Sequence, residues 1–258
     1  MILAIDIGNT NIEIGVLSIK KDDFNIIATC RYFTRLDVTS DQIGLFIINF
    51  LNQKKIKPSK VKKLIFSSVV PPLNNIFIKM FTDFFSNKII EVNEEKKLGI
   101  INCYKNPGEV GSDRLVNAVA ANKLYKKNCI IVDMGTATTL CAVTEDGKYL
   151  GGAIFPGLTT STQALTSKAA RLPSIKIQKK EKLLSEDTTS AIESGVYFSN
   201  YYALKGMIKQ LAVEVDFKNY VTIGTGGYIT LFKDKGIFDI IDPILTLKGL
   251  KIILDLNS

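Results

Sequence analysis

The 258-residue chain contains no histidine. That excludes Ser-His-Asp and Cys-His catalysis and any His-coordinated metal, so a general base has to be a carboxylate or, less often, Lys or Tyr. It also rules out the His-Arg-Asp catalytic loop of protein kinases. No Gly-x-x-x-x-Gly-Lys-Ser/Thr stretch occurs, so this is not a P-loop enzyme. Cys30, Cys103, Cys129 and Cys141 show no Cys-x-x-Cys spacing; they read as reduced thiols and, without His, argue against zinc. Only four of the 33 basic residues are arginine: Arg31, Arg35, Arg114 and Arg171. The lysine clusters at 54–63 and 176–182 therefore lack the Arg and interleaved aromatics of a nucleic-acid patch and read as solvated faces. The net charge of +8 still favours anionic small substrates. No apolar run reaches the ~18 residues of a membrane span. The opening Met-Ile-Leu-Ala-Ile stops at Asp6, too short for a signal-peptide core. The expectation is a cytoplasmic protein with neither nucleic acid nor membrane as partner.

What the chain does have is a repeated device. Residues 2–16, ILAIDIGNTNIEIGV, and 129–143, CIIVDMGTATTLCAV, each run from an apolar stretch into Asp, one residue, Gly, a short Thr/Asn turn and a second apolar stretch. Laid side by side, Asp6 falls on Asp133 and Gly8 on Gly135. Two such turns can grip a nucleotide across a cleft.

Element signals alternate around these copies. Strands are expected at 2–6, 11–17, 24–33, 63–67 and 88–92, and helices at 43–51 and 73–85, the latter opened by Pro71-Pro72. Residues 94–109 read as loop. A helix follows with Ser112 or Asp113 as its cap and Val116, Val119, Ala120 and Leu124 on one face. Strands at 129–133, 138–144 and 149–154 form a second meander closed by Pro156-Gly157. A long helix covers 190–215, a strand 220–223 runs into Gly224-Thr225-Gly226-Gly227, and a last helix carries Leu247, Leu250 and Leu254. Length suits about 1.7 ordinary domains. The pattern predicts a duplicated α/β fold with a cleft, divided as 1–110 and 111–258.

Asp6, at a strand end, can hold a hydrated Mg²⁺ against phosphates, with Thr10 and Asn11 as donors and Gly8 giving the backbone close approach. The alternative is an ordinary hairpin with Asp and Asn as turn formers. Asp133 and Thr136 offer a cation ligand and a phosphate donor in the second copy. Gly224–Gly227 is not a Rossmann fingerprint, because Ile229 stands where the third Gly belongs; it either lays adenine on the backbone or is a plain strand-to-helix turn. Asp113, in Gly111-Ser112-Asp113-Arg114, is the candidate base for an attacking hydroxyl, against the reading of a simple N-cap. Arg114 either holds an anionic acceptor or pairs with a carboxylate. The aromatic stripe Tyr197, Phe198, Tyr201 and Tyr202 is a dimer surface, core, or split between them.

In this order, DIGNTN at 6–11, SSVVPPL at 67–73, YKNPGEVGSDRLVNA at 104–118, DMGTATT at 133–139, GGAIFPG at 151–157, TTSAIESG at 188–195 and GTGG at 224–227 resemble the type III pantothenate kinases over nearly the whole chain. The resemblance implies two actin-like (ribonuclease H-like) domains, each a mixed sheet with a three-strand meander flanked by helices, as in acetate and sugar kinases, heat-shock ATPases and actin. It implies ATP-dependent phosphorylation of the pantothenate primary hydroxyl to 4′-phosphopantothenate, the first step of coenzyme A synthesis. Asp6, Ile7, Gly8, Asn9, Thr10, Asn11, Ile12, Glu13 and Thr136 would contact ATP, with Asp6 reaching Mg²⁺ or another divalent ion through water. Asp133 would bind K⁺ or NH₄⁺. Asp113 would be the proton acceptor, and Tyr104, Gly111, Ser112, Asp113, Arg114 and Thr188 would line the pantothenate pocket, Thr188 across a homodimer interface. Ser112 stands where the family commonly has Ala, and Ile192 and Glu193 where Met and Gln are usual. A regulatory binding protein and a nucleotide hydrolase share the fold. The intact Asp113, Arg114 and both turns oppose the first, and the acceptor pocket from Tyr104 to Arg114 opposes the second.

Overall fold

A computed structural model describes residues 1–86, 88–93, 95–167, 175 and 177–258. Glu94 of the expected loop and Lys176 of the second lysine cluster lie outside the described residues. The chain forms two compact units. The first comprises Met1–Gly99, Lys105–Lys123 and Thr246–Ser258, the second Ile100–Tyr104 and Leu124–Leu245.

The first unit is built on a five-stranded sheet. Strands β1 (Ile2–Ile7), β2 (Asn11–Leu17) and β3 (Ile26–Phe33) form an antiparallel meander, and β4 (Lys63–Ser68) and β5 (Ile89–Glu91) extend it parallel to β1, in the order β3-β2-β1-β4-β5. One face packs on helices α1 (Ser40–Gln53) and α2 (Pro71–Phe84): Ile5, Ile7, Ile12, Ile14 and Phe66 meet Ile43, Ile47, Leu51, Phe77 and Phe81. Each such side chain, fully buried, contributes about 1.5–3 kcal/mol. Thr39 and Gln42 form a reciprocal capping box that starts α1 three residues before the expected 43. Pro71 and Pro72 occupy the first turn of α2, where missing N–H groups cost nothing.

The other face is covered by α3 (Ser112–Tyr125) and α6 (Leu245–Leu256), which is why the units do not part at residue 110 as expected. A sheet with parallel strands needs helices on both faces, and the chain returns twice to supply them. A Cβ on Gly15 would come within 2.8 Å of Leu247 Cδ1, and one on Gly249 would overlap the Val116 carbonyl. The expected single apolar face of α3 is also too narrow. Residues Arg114 through Ala121 are all buried, because Ala118, Ala120 and Ala121 let neighbours close in on every side. In α6, Leu247, Leu250 and Leu254 are buried as expected. Lys251 is fully buried too and pairs with Asp255, which also accepts the Asp22 N–H at 3.1 Å.

The second unit repeats the plan. Strands β7 (Cys129–Met134), β8 (Ala137–Val143) and β9 (Lys148–Pro156) form the meander, β10 (Val221–Thr225) and β11 (Ile240–Ile241) extend it, and β6 (Ile101–Asn102) pairs with β9, in the order β11-β10-β7-β8-β9-β6. Helix α5 (Thr188–Glu214), capped by Asp187, lays Val196, Tyr197, Leu204 and Ile208 on Ile130, Val132, Leu140 and Ala142, with Leu158 of α4 (Leu158–Thr166) joining them. Strands β6 and β11 and helix α4 were not foreseen: the strands are two residues long, and Gly-Leu-Thr-Thr-Ser-Thr has weak helix signals.

Ala at Gly249 is expected to lower stability by about 1–3 kcal/mol through overpacking against Val116. Ala at Gly206, inside α5 with nothing within 4 Å of its Cβ position, is expected to gain about 0.5–1 kcal/mol. Urea denaturation of the two variants checks this contrast, and equal midpoints would contradict the α3–α6 contact.

Candidate active site

Directly opposed residues in a sheet share a face. The register of the first unit puts Ser67, Asp6, Glu13 and Arg31 in one row across β4, β1, β2 and β3. The row lies on the face opposite Ile5, Ile7, Ile12 and Ile14, the face that α3 covers. Within it, Ser67 Oγ donates to Asp6 Oδ1 at 2.6 Å and Arg31 stands 3.6 Å from Glu13. Burial pushes the Glu13 carboxyl above the usual range, and the Arg31 charge and hydrogen bond pull it back.

The turn beyond Asp6 is closed on itself. Gly8 N–H donates to Asn11 O at 3.2 Å, and a Cβ on Gly8 would lie 2.8 Å from that oxygen. Glycine is therefore required by the turn, and its N–H closes the hairpin. Thr34 braces the turn, its Oγ1 donating to Gly8 O at 2.6 Å and its N–H to Thr10 O at 3.0 Å. Ile7 and Ile12, within the expected nucleotide-contacting stretch, are fully buried in the core. Asn9, Thr10 and Asn11 form the tip, with Asn9 and Asn11 exposed.

Asp113 belongs to the same unit. Neither Ser112 nor Asp113 is the helix cap: Gly111 O accepts from Arg114 N–H at 3.1 Å, which leaves Gly111 outside the helix and Asp113 within the first turn. Ser112 bonds sideways instead. Its Oγ donates to Ser68 O at 3.0 Å and accepts from Ser68 N–H at 3.1 Å. Asp113 Oδ1 accepts the Arg114 N–H at 2.8 Å, and a Cβ on Gly111 would sit 2.6 Å from that oxygen. Arg114 is buried. The end of β4 thus holds both acids' elements: Ser67 bonds Asp6, and Ser68 bonds the residue before Asp113. Burial pushes the Asp113 carboxyl above its ordinary value, while the Arg114 N–H and guanidinium oppose the shift.

In the second unit Asp133 is the last residue but one of β7, in register with Thr139 and Thr225. Gly226, at φ +92°, leaves room for Asp133: a Cβ there would overlap Asp133 Oδ1. Its missing side chain gives the acid room. The Gly-rich stretch leads into a short 3-10 helix, Ile229–Phe232. Gly135 N–H donates to Ala137 O at 3.1 Å, as in the first turn. Thr136 is exposed at the tip, and its carbonyl accepts from Gly157 N–H at 3.1 Å and Thr160 Oγ1 at 2.6 Å. Tyr104 also lies in this unit, 6.4 Å from the buried Tyr149 ring and beside Gly151. Thr188 begins α5 and lines a mostly apolar cavity of about 770 Å³ with Ser161, Leu165, Ile192 and Ser199. Glu193 pairs with Lys180. Of the aromatic stripe, Tyr197 is fully buried against Phe232 and Tyr202 is exposed.

Sequence reading gave no individual role to Ser67 or Arg31. The available signal for Ser67 was its place at the end of a strand running beside β1. Among the described residues no three His, Cys, Asp or Glu side chains gather around a metal position. A cation at Asp6 would be held by one carboxylate with water and phosphate oxygens, which suits Mg²⁺.

Two mixed α/β sheets, each with an Asp-x-Gly hairpin inside a meander, define the fold of actin-like ATPases and sugar kinases. Solved structures agree at the level of fold. A Campylobacter jejuni protein described as a Baf-family transcriptional activator aligns with TM-score 0.60 and 19% identity, covering 99% of this chain and 98% of its own. A protein described as an N-acetylmannosamine kinase from Listeria monocytogenes aligns with TM-score 0.52 and 15% identity over 100% and 99%. The family model for type III pantothenate kinase matches residues 2–210. Type III pantothenate kinases of Dehalococcoides mccartyi and Listeria welshimeri are each 38% identical, covering 100% of this chain and 98% of theirs. The chain belongs to the type III pantothenate kinase family.

The raised Asp113 value has a stability consequence. The ionised carboxylate costs stability above its folded value, and the cost vanishes below its ordinary value of 3.8. Asp113→Asn is expected to melt above the unmodified protein at pH 7–8, with the gap closing as pH falls toward 4. Thermal melts across that range check it; a lower melting temperature at neutral pH would contradict the burial cost.

Proposed function

We propose that Asp113 and Asp6 are the working acids of the ATP-dependent phosphorylation of pantothenate that this family performs in coenzyme A synthesis. The pantothenate hydroxyl attacks the γ-phosphorus, the new O–P bond forms as the bond to ADP breaks, and Asp113 takes the hydroxyl proton. Its burial supports this, since a carboxylate pushed above its ordinary range is a stronger proton acceptor. Arg114, next along the same helix, would hold the acceptor's carboxylate together with Gly111 and Ser112, with Tyr104 and Thr188 as further pocket residues.

Asp6, Gly8, Asn9, Thr10, Asn11 and Glu13 would serve the nucleotide and its divalent ion. Bound Mg²⁺ would offset phosphate charge as the phosphoryl group transfers. From the second unit, Thr136 would touch ATP and Asp133 a monovalent cation, K⁺ or NH₄⁺. The same reading makes the protein a cytoplasmic homodimer. Among the described residues no helix is long and apolar enough to cross a membrane.

The observation that carries this reading is the anchorage of Asp6 on Ser67 and of Ser112, the residue before Asp113, on Ser68. ATP consumption measured with and without pantothenate, in K⁺ and in Na⁺, tests it. Turnover is expected only with pantothenate, and faster in K⁺. Asp113→Asn is expected to lose about 10²–10⁴-fold in turnover while ATP affinity holds. Pantothenate-independent consumption would point to a hydrolase, no consumption to a binding protein, and an active Asn variant would remove Asp113 from the mechanism.

A further inference from the structure

We propose that Ser67 is a positioning residue that orients the Asp6 carboxylate for the divalent ion carried by the nucleotide; this rests on the role given to Asp6 above. Three observations support it. First, Ser67 is fully buried, and its hydroxyl reaches Asp6 Oδ1 at 2.6 Å. A hydrogen bond from a neutral hydroxyl to a charged acceptor is short and about twice as strong as a neutral pair. It fixes the plane of a side chain that would otherwise rotate about its last bond.

Second, Asp6 and Glu13 stand directly opposite one another, and like charges in that position repel. The row sorts them. Arg31 draws Glu13 from the outer side at 3.6 Å, and Ser67 holds Asp6 from the inner side. The two carboxylates are pulled apart along the row, so each keeps its own partner.

Third, the donor itself is held still. Ser68 is clamped through both its N–H and its C=O by Ser112 Oγ, and Val69 N–H donates to Ile7 O at 3.0 Å just past the strand end. A hydroxyl on a strand gripped from both sides can set the angle of its acceptor. Partners of this kind, one step behind a metal-holding group, commonly change metal affinity by 10–100-fold when removed.

The test is Mg²⁺-dependent binding of a non-hydrolysable ATP analogue, by titration calorimetry of the full chain. Ser67→Ala is expected to raise the Mg²⁺ needed for half-maximal binding by about tenfold. Binding of the analogue without Mg²⁺ and the KM for pantothenate should stay within twofold. Ser67→Cys keeps the side-chain volume with a weaker donor and should shift the Mg²⁺ requirement in the same direction; it gives the reading should the Ala variant not fold. In an Asp6→Asn background, Ser67→Ala should add less than twofold, because its effect passes through Asp6. An unchanged Mg²⁺ requirement, or a full additional loss in the Asp6→Asn background, would overturn the proposal. Should Asp6→Asn itself leave the Mg²⁺ requirement unchanged, the role of Asp6 falls first, and the Ser67 proposal falls with it.

Discussion

The end of β4 is the constraint on which the first unit's chemistry depends. Ser67 and Ser68 share one planar peptide group, and strand pairing with β1 holds the dihedrals on either side of it. One serves Asp6 on the neighbouring strand; the other is gripped by the residue before Asp113 at the start of a helix. Two acids more than a hundred positions apart in sequence are thereby referred to one peptide. Two prolines then end the strand abruptly, so the ruler cannot extend or slide.

The second unit shows what duplication kept and what it let go. Strands β1 and β7 have the same burial pattern, and so do β2 and β8, position by position. The turns differ: residues 8–10 separate the first pair, only 135 and 136 the second. Equivalence therefore slips by one after the turn, and Asn11 corresponds to Ala137. Glu13, opposite Asp6, has Thr139 as its counterpart opposite Asp133. The first copy keeps two acids in its row and needs Arg31 and Ser67 to separate them. The second keeps one acid among threonines, with no second carboxylate opposite it to be held apart.

Much of this was legible in the chain. The meanders, the proline-opened helix and the long helix follow from periodicity and punctuation, which are local properties. Membership of each unit did not, because α3 and α6 join the first sheet through contacts made by Gly15 and Gly249, where the signal is an absent side chain. The cap of α3 was misread for a related reason. Ser112 has the chemistry of an N-cap, but Ser68 competes for its hydroxyl from a strand 44 residues earlier. Local propensity cannot see such a rival. Asp6 and Asp113 were found as types in suggestive places; Ser67 was missed because a serine pair at a strand end carries little signal until strand register puts one of the two opposite an acid.

Glycine placement explains why these acids tolerate dense surroundings. A Cβ on Gly111 would crowd Asp113 Oδ1, and a Cβ on Gly226 would overlap Asp133 Oδ1. Each carboxylate occupies volume that any other residue would fill. For Asp113 this permits burial, and burial is what raises its proton affinity. An acid in open water would keep an ordinary value and be a weaker acceptor. An acid buried without such room would be forced out of its rotamer. Gly111 thus makes room for the acid, and the glycine-serine-aspartate order acts as a unit. The glycine vacates space, the serine fastens the helix to β4, and the aspartate takes the seat the other two have made.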